Sequence, residues 1–185
     1  INVRENVGVT EDAKYTKQEF KGPDARKSGD YIMAGKWPKP GRISLTPMLT
    51  YRGKLYGDLT VACLDENEFM VFGSGAAQEM HRRWFESHLE KFNLQYKNRS
   101  DEFHGLGIAG PKSRELLQKI VRERVSNDSF KFRDSRKMFV GGVPAIVNRI
   151  SFTGELGYEI YVAPHFQLKL YEELTNAGKE FNIKP

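Results

Sequence analysis

Cysteine is almost missing: Cys63 stands alone among 185 residues. A disulfide framework within the chain is excluded, and this usage fits a reducing compartment. Without a CxxC partner, Cys63 also lacks the spacing of a structural metal site. Histidine is sparse, and His81 and His88 stand seven apart on one expected helix, beyond the three- or four-residue spacing that suits one ion. No metal is expected. No apolar run approaches the roughly 20 residues of a membrane span. The opening INVRENVGVTED has no signal-peptide core. A phosphate loop is missing too: GSGAAQ (73–78) has no third glycine to complete GxGxxG. Basic residues are scattered. The net charge is +5, and the longest basic cluster, KFRDSRK (131–137), is broken by Asp134. Nucleic acid needs a concentrated stripe, so it is not an expected partner. Anionic small molecules fit this charge better.

What remains is ordinary for a globular chain. Apolar residues make up 39% and charged ones 29%, with a mean hydropathy of −0.58. A chain of this length buries roughly 70% of its unfolded surface. It begins without Met and ends at FNIKP, which reads as a piece of something longer.

Periodicity predicts a strand over 13–22, then a helix opening near Pro23 and broken at Ser28-Gly29, then a loop over 36–42. A β meander follows: 42–51, a turn over 52–58, 59–64 and 69–73. Residues 76–94 give a helix whose apolar stripe is Met80, Trp84, Phe85, His88, Leu89 and Phe92, with His81 at its edge or in solvent. A strand over 103–110 and a helix over 110–125 come next. Two strands joined at Gly141-Gly142, a strand over 158–162 and a helix over 165–181 complete the chain. Hairpin-linked strands with interspersed amphipathic helices indicate an α+β fold.

Two places hold chemistry. Asp58, in LYGDLTV, sits where a strand of apolar residues begins. Asp is disfavoured in strands, so it either closes the turn from Gly53 or projects a carboxylate at a sheet end. SFTGELGYE (151–159) is the other. One reading is a corner in which Gly154 and Gly157 supply positive φ. The second adds Phe152, Tyr158 and Glu159 as ring walls and a carboxylate, the set that holds a flat heterocycle by stacking and by its N–H edge.

At these residues the sequence resembles the glycine-cleavage T-protein (aminomethyltransferase) family. NRISFTGELGYEIYV is similar to its YTGExGYE segment, GRISLTPMLTYRGKLYGDLTV to its strand entrance, and GLGIAGPKSRELLQK to its LALQGPKA step. The three occur in the family's order across nearly the whole chain, and two look closer still to the folate domains of dimethylglycine and sarcosine dehydrogenases. The resemblance implies that residues 1–185 form most of one tetrahydrofolate-binding domain. It implies Asp58 as the catalytic carboxylate near the amine and folate nitrogen, and Glu159 as the acid on the pterin's amino-pyrimidine edge. Phe152, Ser74, Leu45 and Tyr158 are the other folate-site positions it implies. Three of these depart from the family: Phe152 and Leu45 stand where Tyr is usual, and Ser74 where Asn is common. A downstream arginine-bearing segment and an FAD-binding domain are not within these residues, so FAD enters only through another domain.

The expected function is transfer of a one-carbon unit from an N-methyl amine of the dimethylglycine or sarcosine type to tetrahydrofolate, within a larger flavin dehydrogenase. The implied partners are an amine, folate and other domains or subunits of the parent enzyme. The implied compartment is the bacterial cytoplasm or the mitochondrial matrix. A stand-alone aminomethyltransferase or folate-dependent demethylase, and a non-catalytic folate-binding or regulatory domain, are the alternatives.

Overall fold

The structure is a computed structural model that describes residues 2–12 and 14–185. In chain order it runs α1 (Asn2–Glu5), β1 (Gly8–Glu11), β2 (Tyr15–Lys21), α2 (Ala25–Ile32), β3 (Ile43–Leu49), β4 (Leu55–Asp65) and β5 (Glu68–Ser74). There follow α3 (Gln78–Leu89), β6 (Gln95–Asn98), β7 (His104–Ala109), α4 (Ser113–Ile120), β8 (Ser135–Val140), β9 (Val143–Asn148), β10 (Gly157–Val162) and α5 (Gln167–Gly178). The named strands pair antiparallel in two five-stranded sheets, confirming the α+β class. The described residues divide into two compact units, 2–12 with 101–185, and 14–100.

In the unit of 14–100 the strand order is β3-β4-β5-β2-β6. Side chains alternate along a strand. Leu59, Val61 and Cys63 of β4, with Phe69 and Val71 of β5, therefore bury one face of the sheet together with α2 and α3. Phe20 anchors this core, meeting Trp37, Phe85 and Tyr96 edge-on with ring centroids 5.1–5.2 Å apart. Ser28-Gly29 does not interrupt α2. A Cβ at Gly29 would come within 2.0 Å of the Trp37 ring, so the glycine is there for close packing and the helix runs through it. The stripe of α3 is also redrawn. His81, Phe85 and Leu89 face the core, whereas Met80 is exposed.

The unit of 2–12 and 101–185 has the order β1-β7-β10-β9-β8. Leu106, Ile108, Val147, Tyr158, Ile160 and Val162 form one buried face under α4 and α5, whose Leu116, Leu117, Leu170 and Leu174 are fully buried. The predicted helix over 110–125 ends at Ile120. Val121 turns to extended backbone, the Ile120 carbonyl accepts from Gly141 N at 2.8 Å, and the Gln118 side chain takes the Val125 N–H at 3.0 Å. The expected Gly141-Gly142 turn joins β8 to β9, both glycines at positive φ. Three short elements, α1, β1 and β6, had no clear periodicity in the sequence. The two strands are held by pairing with distant residues, as Gly8 is with Ala109 and Gln18 with Asn98.

Candidate functional site: a polar row across one sheet

Antiparallel partners directly opposite each other point to the same face. Reading the registers of the second unit across all five strands gives one continuous row: Ser135 on β8, Asn148 on β9, Glu159 on β10, Gly107 on β7 and Thr10 on β1. This face is opposite to that of Tyr158 and Ile160. The next row carries Lys137, Ile146, Tyr161 and Gly105, and the chain beyond β1 adds Asp12, whose N–H donates to Gly105 O at 2.8 Å. Glycine at 107 is needed for space: a Cβ there would lie 2.5 Å from Asp12 Oδ2 and 2.7 Å from Thr10 Oγ1.

Glu159 is half-buried in the middle of this row. Tyr161 Oη donates to its Oε2 at 2.9 Å. Among the described residues no cation pairs with Glu159 and its second oxygen has no hydrogen-bond donor. Burial pushes the carboxyl up to about 7; the Tyr161 hydrogen bond opposes that rise and the nearby Asp12 charge adds to it. Beside it, Asn148 is fully buried. Its Oδ1 accepts from Ser135 Oγ at 2.7 Å, while its Nδ2 has no partner. Side by side, these are an open acceptor and an open donor.

SFTGELGYE (151–159) takes in most of the eight-residue loop over 149–156 that joins β9 to β10, and the first three residues of β10, rather than a tight hairpin. Gly154 has a φ of 77°, as expected. Gly157 does not take positive φ; it opens β10, and a Cβ there would lie 2.5 Å from Ser151 Cβ and 2.9 Å from Ile108 O. Close approach, not turn geometry, explains this glycine. The loop is tied down at its far end by Gly110 N–H and Ser113 Oγ–H donating to Leu156 O at 2.8 and 3.0 Å. A cavity of about 250 Å³ is lined there by Phe132, Arg149, Ser151 and Gly154 among others.

The expected ring walls separate from the carboxylate. Phe152 is 92% exposed at the loop tip. Tyr158 is 0% exposed, faces the helix-covered side, stacks on Phe130 at 5.9 Å and accepts from Arg114 Nε at 3.4 Å. It presents no ring face at the surface.

Leu45, Asp58 and Ser74 belong to the unit of 14–100, where the structure brings them onto one sheet face. Leu45 pairs with Thr60 and Pro47 with Asp58, and Ser74 shares the parity of Phe72, which pairs with Thr60. All three are exposed. Asp58 does not close a turn. The turn ends earlier, with Gly53 N–H donating to Thr50 O and Thr50 N–H to Lys54 O, and β4 starts at Leu55. Asp58 therefore sits inside a strand, with its carboxylate projecting from a sheet face.

Sequence reasoning missed Asn148, Tyr161 and Asp12. Asn148 and Tyr161 share the parity of Glu159 within their hairpin; Asp12 lies nearly 150 residues away and has no local signal.

The family model of the GCVT N-terminal domain matches residues 1–185. The chain belongs to this family. A GCVT N-terminal domain is a component of folate-dependent aminomethyl and methyl transferases. The mitochondrial dimethylglycine dehydrogenase of Homo sapiens is 37% identical over 184 residues, 98% of this chain and 21% of that protein. An aminomethyltransferase of Clostridium botulinum (strain Okra / Type B1) is 31% identical over 185 residues, 99% of this chain and 50% of that protein. This GCVT domain thus spans half or less of these relatives. The crystal structure of glycine cleavage system aminomethyltransferase T from Bartonella henselae superposes with a TM-score of 0.86 at 19% identity, over 99% of this chain and 48% of that one. Heterotetrameric sarcosine oxidase from Corynebacterium sp. U-96, in complex with pyrrole 2-carboxylate, gives 0.78 at 17%, over 98% and 88%. At those identities the two structures establish the fold. Among the described residues no helix is long and apolar enough to cross a membrane.

Proposed function

We propose that this chain forms most of a tetrahydrofolate-binding module that moves a one-carbon unit from an N-methyl amine of the dimethylglycine or sarcosine type, within a larger flavin-dependent dehydrogenase. The observation that carries the reading is Glu159: a half-buried carboxyl with one oxygen held by Tyr161, the other open, and no cation beside it. The amino-pyrimidine edge of a pterin presents paired N–H donors, which match a carboxylate. The donor set fits the group. Gly107 keeps the sheet open beside Glu159, and the unpartnered Asn148 amide lies opposite it on β9.

Tetrahydrofolate, when bound, supplies the nitrogen that receives the one-carbon unit. Glu159 holds and orients the heterocycle. Phe152 offers an exposed ring at the loop tip for stacking on its face, while Tyr158 supports the strand from the opposite, buried side. Asp58 takes or holds the amine's proton and balances positive charge there, and Leu45 and Ser74, exposed on the same sheet face as Asp58, are the further proposed folate contacts. The dimethylglycine-type assignment is favoured over a stand-alone aminomethyltransferase by 37% against 31% identity over nearly the whole chain. The proposed compartment is the mitochondrial matrix or bacterial cytoplasm, and the proposed partners are the remaining domains of the parent enzyme.

Calorimetry with the full-length protein tests the reading. Tetrahydrofolate binds the wild type, and Glu159→Gln weakens it about tenfold or more, because one N–H loses its charged acceptor. Equal affinity removes Glu159 from the site.

A further inference from the structure

Asn148 poses a problem that the folate reading of Glu159 leaves open. A fully buried amide donor without a partner is costly, because its lost hydration is not replaced, and native structures retain few such groups. Its orientation is not accidental. Ser135 stands opposite it on β8 and donates to Oδ1 at 2.7 Å. The two atoms of a planar amide diverge, so fixing Oδ1 on the β8 side leaves Nδ2 for the β10 side. The residue opposite Asn148 on β10 is Glu159, whose second oxygen lacks a donor.

We propose that Asn148 is the positioning residue for Glu159: its side-chain amide donates to the open carboxylate oxygen once Glu159 is ionised, with or without ligand, and Ser135 sets the amide's orientation. Tyr161 and Asn148 then grip the carboxylate from two sides, and its plane is fixed for a paired N–H edge. The inference rests on the folate reading of Glu159 and adds to it the means by which the acid is aimed.

Charge in the neighbourhood supports the need for such a donor. The groups facing Glu159 are Asp12 from beyond β1 and Tyr161 on its own strand; Lys137 on β8 lies one row away. Asp12 opposes ionisation of Glu159, and among the described residues no cation pairs with Glu159 itself. Neutral donors are what the row provides instead, and hydrogen bonds to a carboxylate favour its charged form.

The test is the pH profile of tetrahydrofolate affinity in the full-length protein, read by calorimetry for the wild type, Asn148→Ala, Asn148→Ser and Ser135→Ala. In the wild type, affinity rises with pH as Glu159 ionises. Asn148→Ala moves the midpoint upward by about one pH unit, since the carboxylate has lost a donor. Asn148→Ser keeps a hydroxyl donor and recovers part of the shift. Ser135→Ala, which deletes only a hydroxyl, moves the midpoint in the same direction by less. A merely structural role lowers affinity at every pH with the midpoint in place, and that result, in Asn148→Ala or in Ser135→Ala, overturns the assignment. Wild-type protein that binds no tetrahydrofolate overturns the reading of Glu159 itself, a distinguishable failure.

Discussion

Tyr161 Oη donates to Glu159 Oε2 at 2.9 Å, two places along the same strand. It is the one donor that Glu159 has among the described residues, and it is neutral. The carboxyl therefore carries its burial with little compensation, which makes its ionisation a stability term as well as a binding one.

In Glu159 the folded-state value lies near 7, above the unfolded carboxyl's usual 4.5. The folded protein holds the proton more tightly, so this group's contribution is present below the unfolded value and is lost as pH rises through about 7. Glu159→Gln cannot ionise. It is expected to melt higher than the wild type at pH 8, by about 2 °C or more, with the difference shrinking toward pH 5. Differential scanning calorimetry at the two pH values checks this.

His81 works in the opposite direction. Its ring is buried over Gly57 and Gly73, Nε2 meets Tyr56 O at 3.2 Å, and Nδ1 has no partner. Burial pushes its pKa below 6.5. As pH falls below that value the unfolded chain takes up a proton that the folded chain refuses, and stability drops. The pH 7.5-to-5 decline in urea midpoint should be smaller in His81→Gln than in the wild type. An equal decline in both removes His81 as its source.

Gly29 tests the packing argument for α2. A Cβ there meets three Trp37 ring atoms at 2.0–2.5 Å, and that ring is 4% exposed with Phe20 and Phe69 against it. Helix propensity alone predicts that Gly29→Ala stabilises by up to about 1 kcal/mol. Overpacking is expected to win, with a net loss of about 2 kcal/mol or more in chemical denaturation.

Asp58 should separate function from stability. It is exposed, and no hydrogen bond or ion pair holds it among the described residues. Asp58→Asn is expected to leave stability within about 0.5 kcal/mol. One-carbon transfer by the full-length protein is expected to fall about a hundredfold, the usual scale for losing a general acid–base group. Unchanged transfer in a quench assay removes Asp58 from the chemistry.

The sequence by itself determined the α+β class, nearly every long strand and helix and the two-glycine turn at 141–142, and it singled out Glu159 and Asp58 as candidates. These are local signals: alternation, helical spacing, turn residues and motif segments, each read within a few residues of chain. Even Gly29 and Gly157 are visible locally, though not their purpose, since what makes them necessary is a Trp37 ring and an Ile108 carbonyl supplied from elsewhere. Only the tertiary structure decided the surroundings of Glu159. Strand register placed Ser135, Asn148, Gly107 and Thr10 in its row, turned Tyr158 to the opposite face and left Phe152 at the loop tip. A one-residue slip in any pairing would send a whole strand's side chains to the other face. That register is fixed by burial summed over the entire sheet, and no single segment of the sequence contains it.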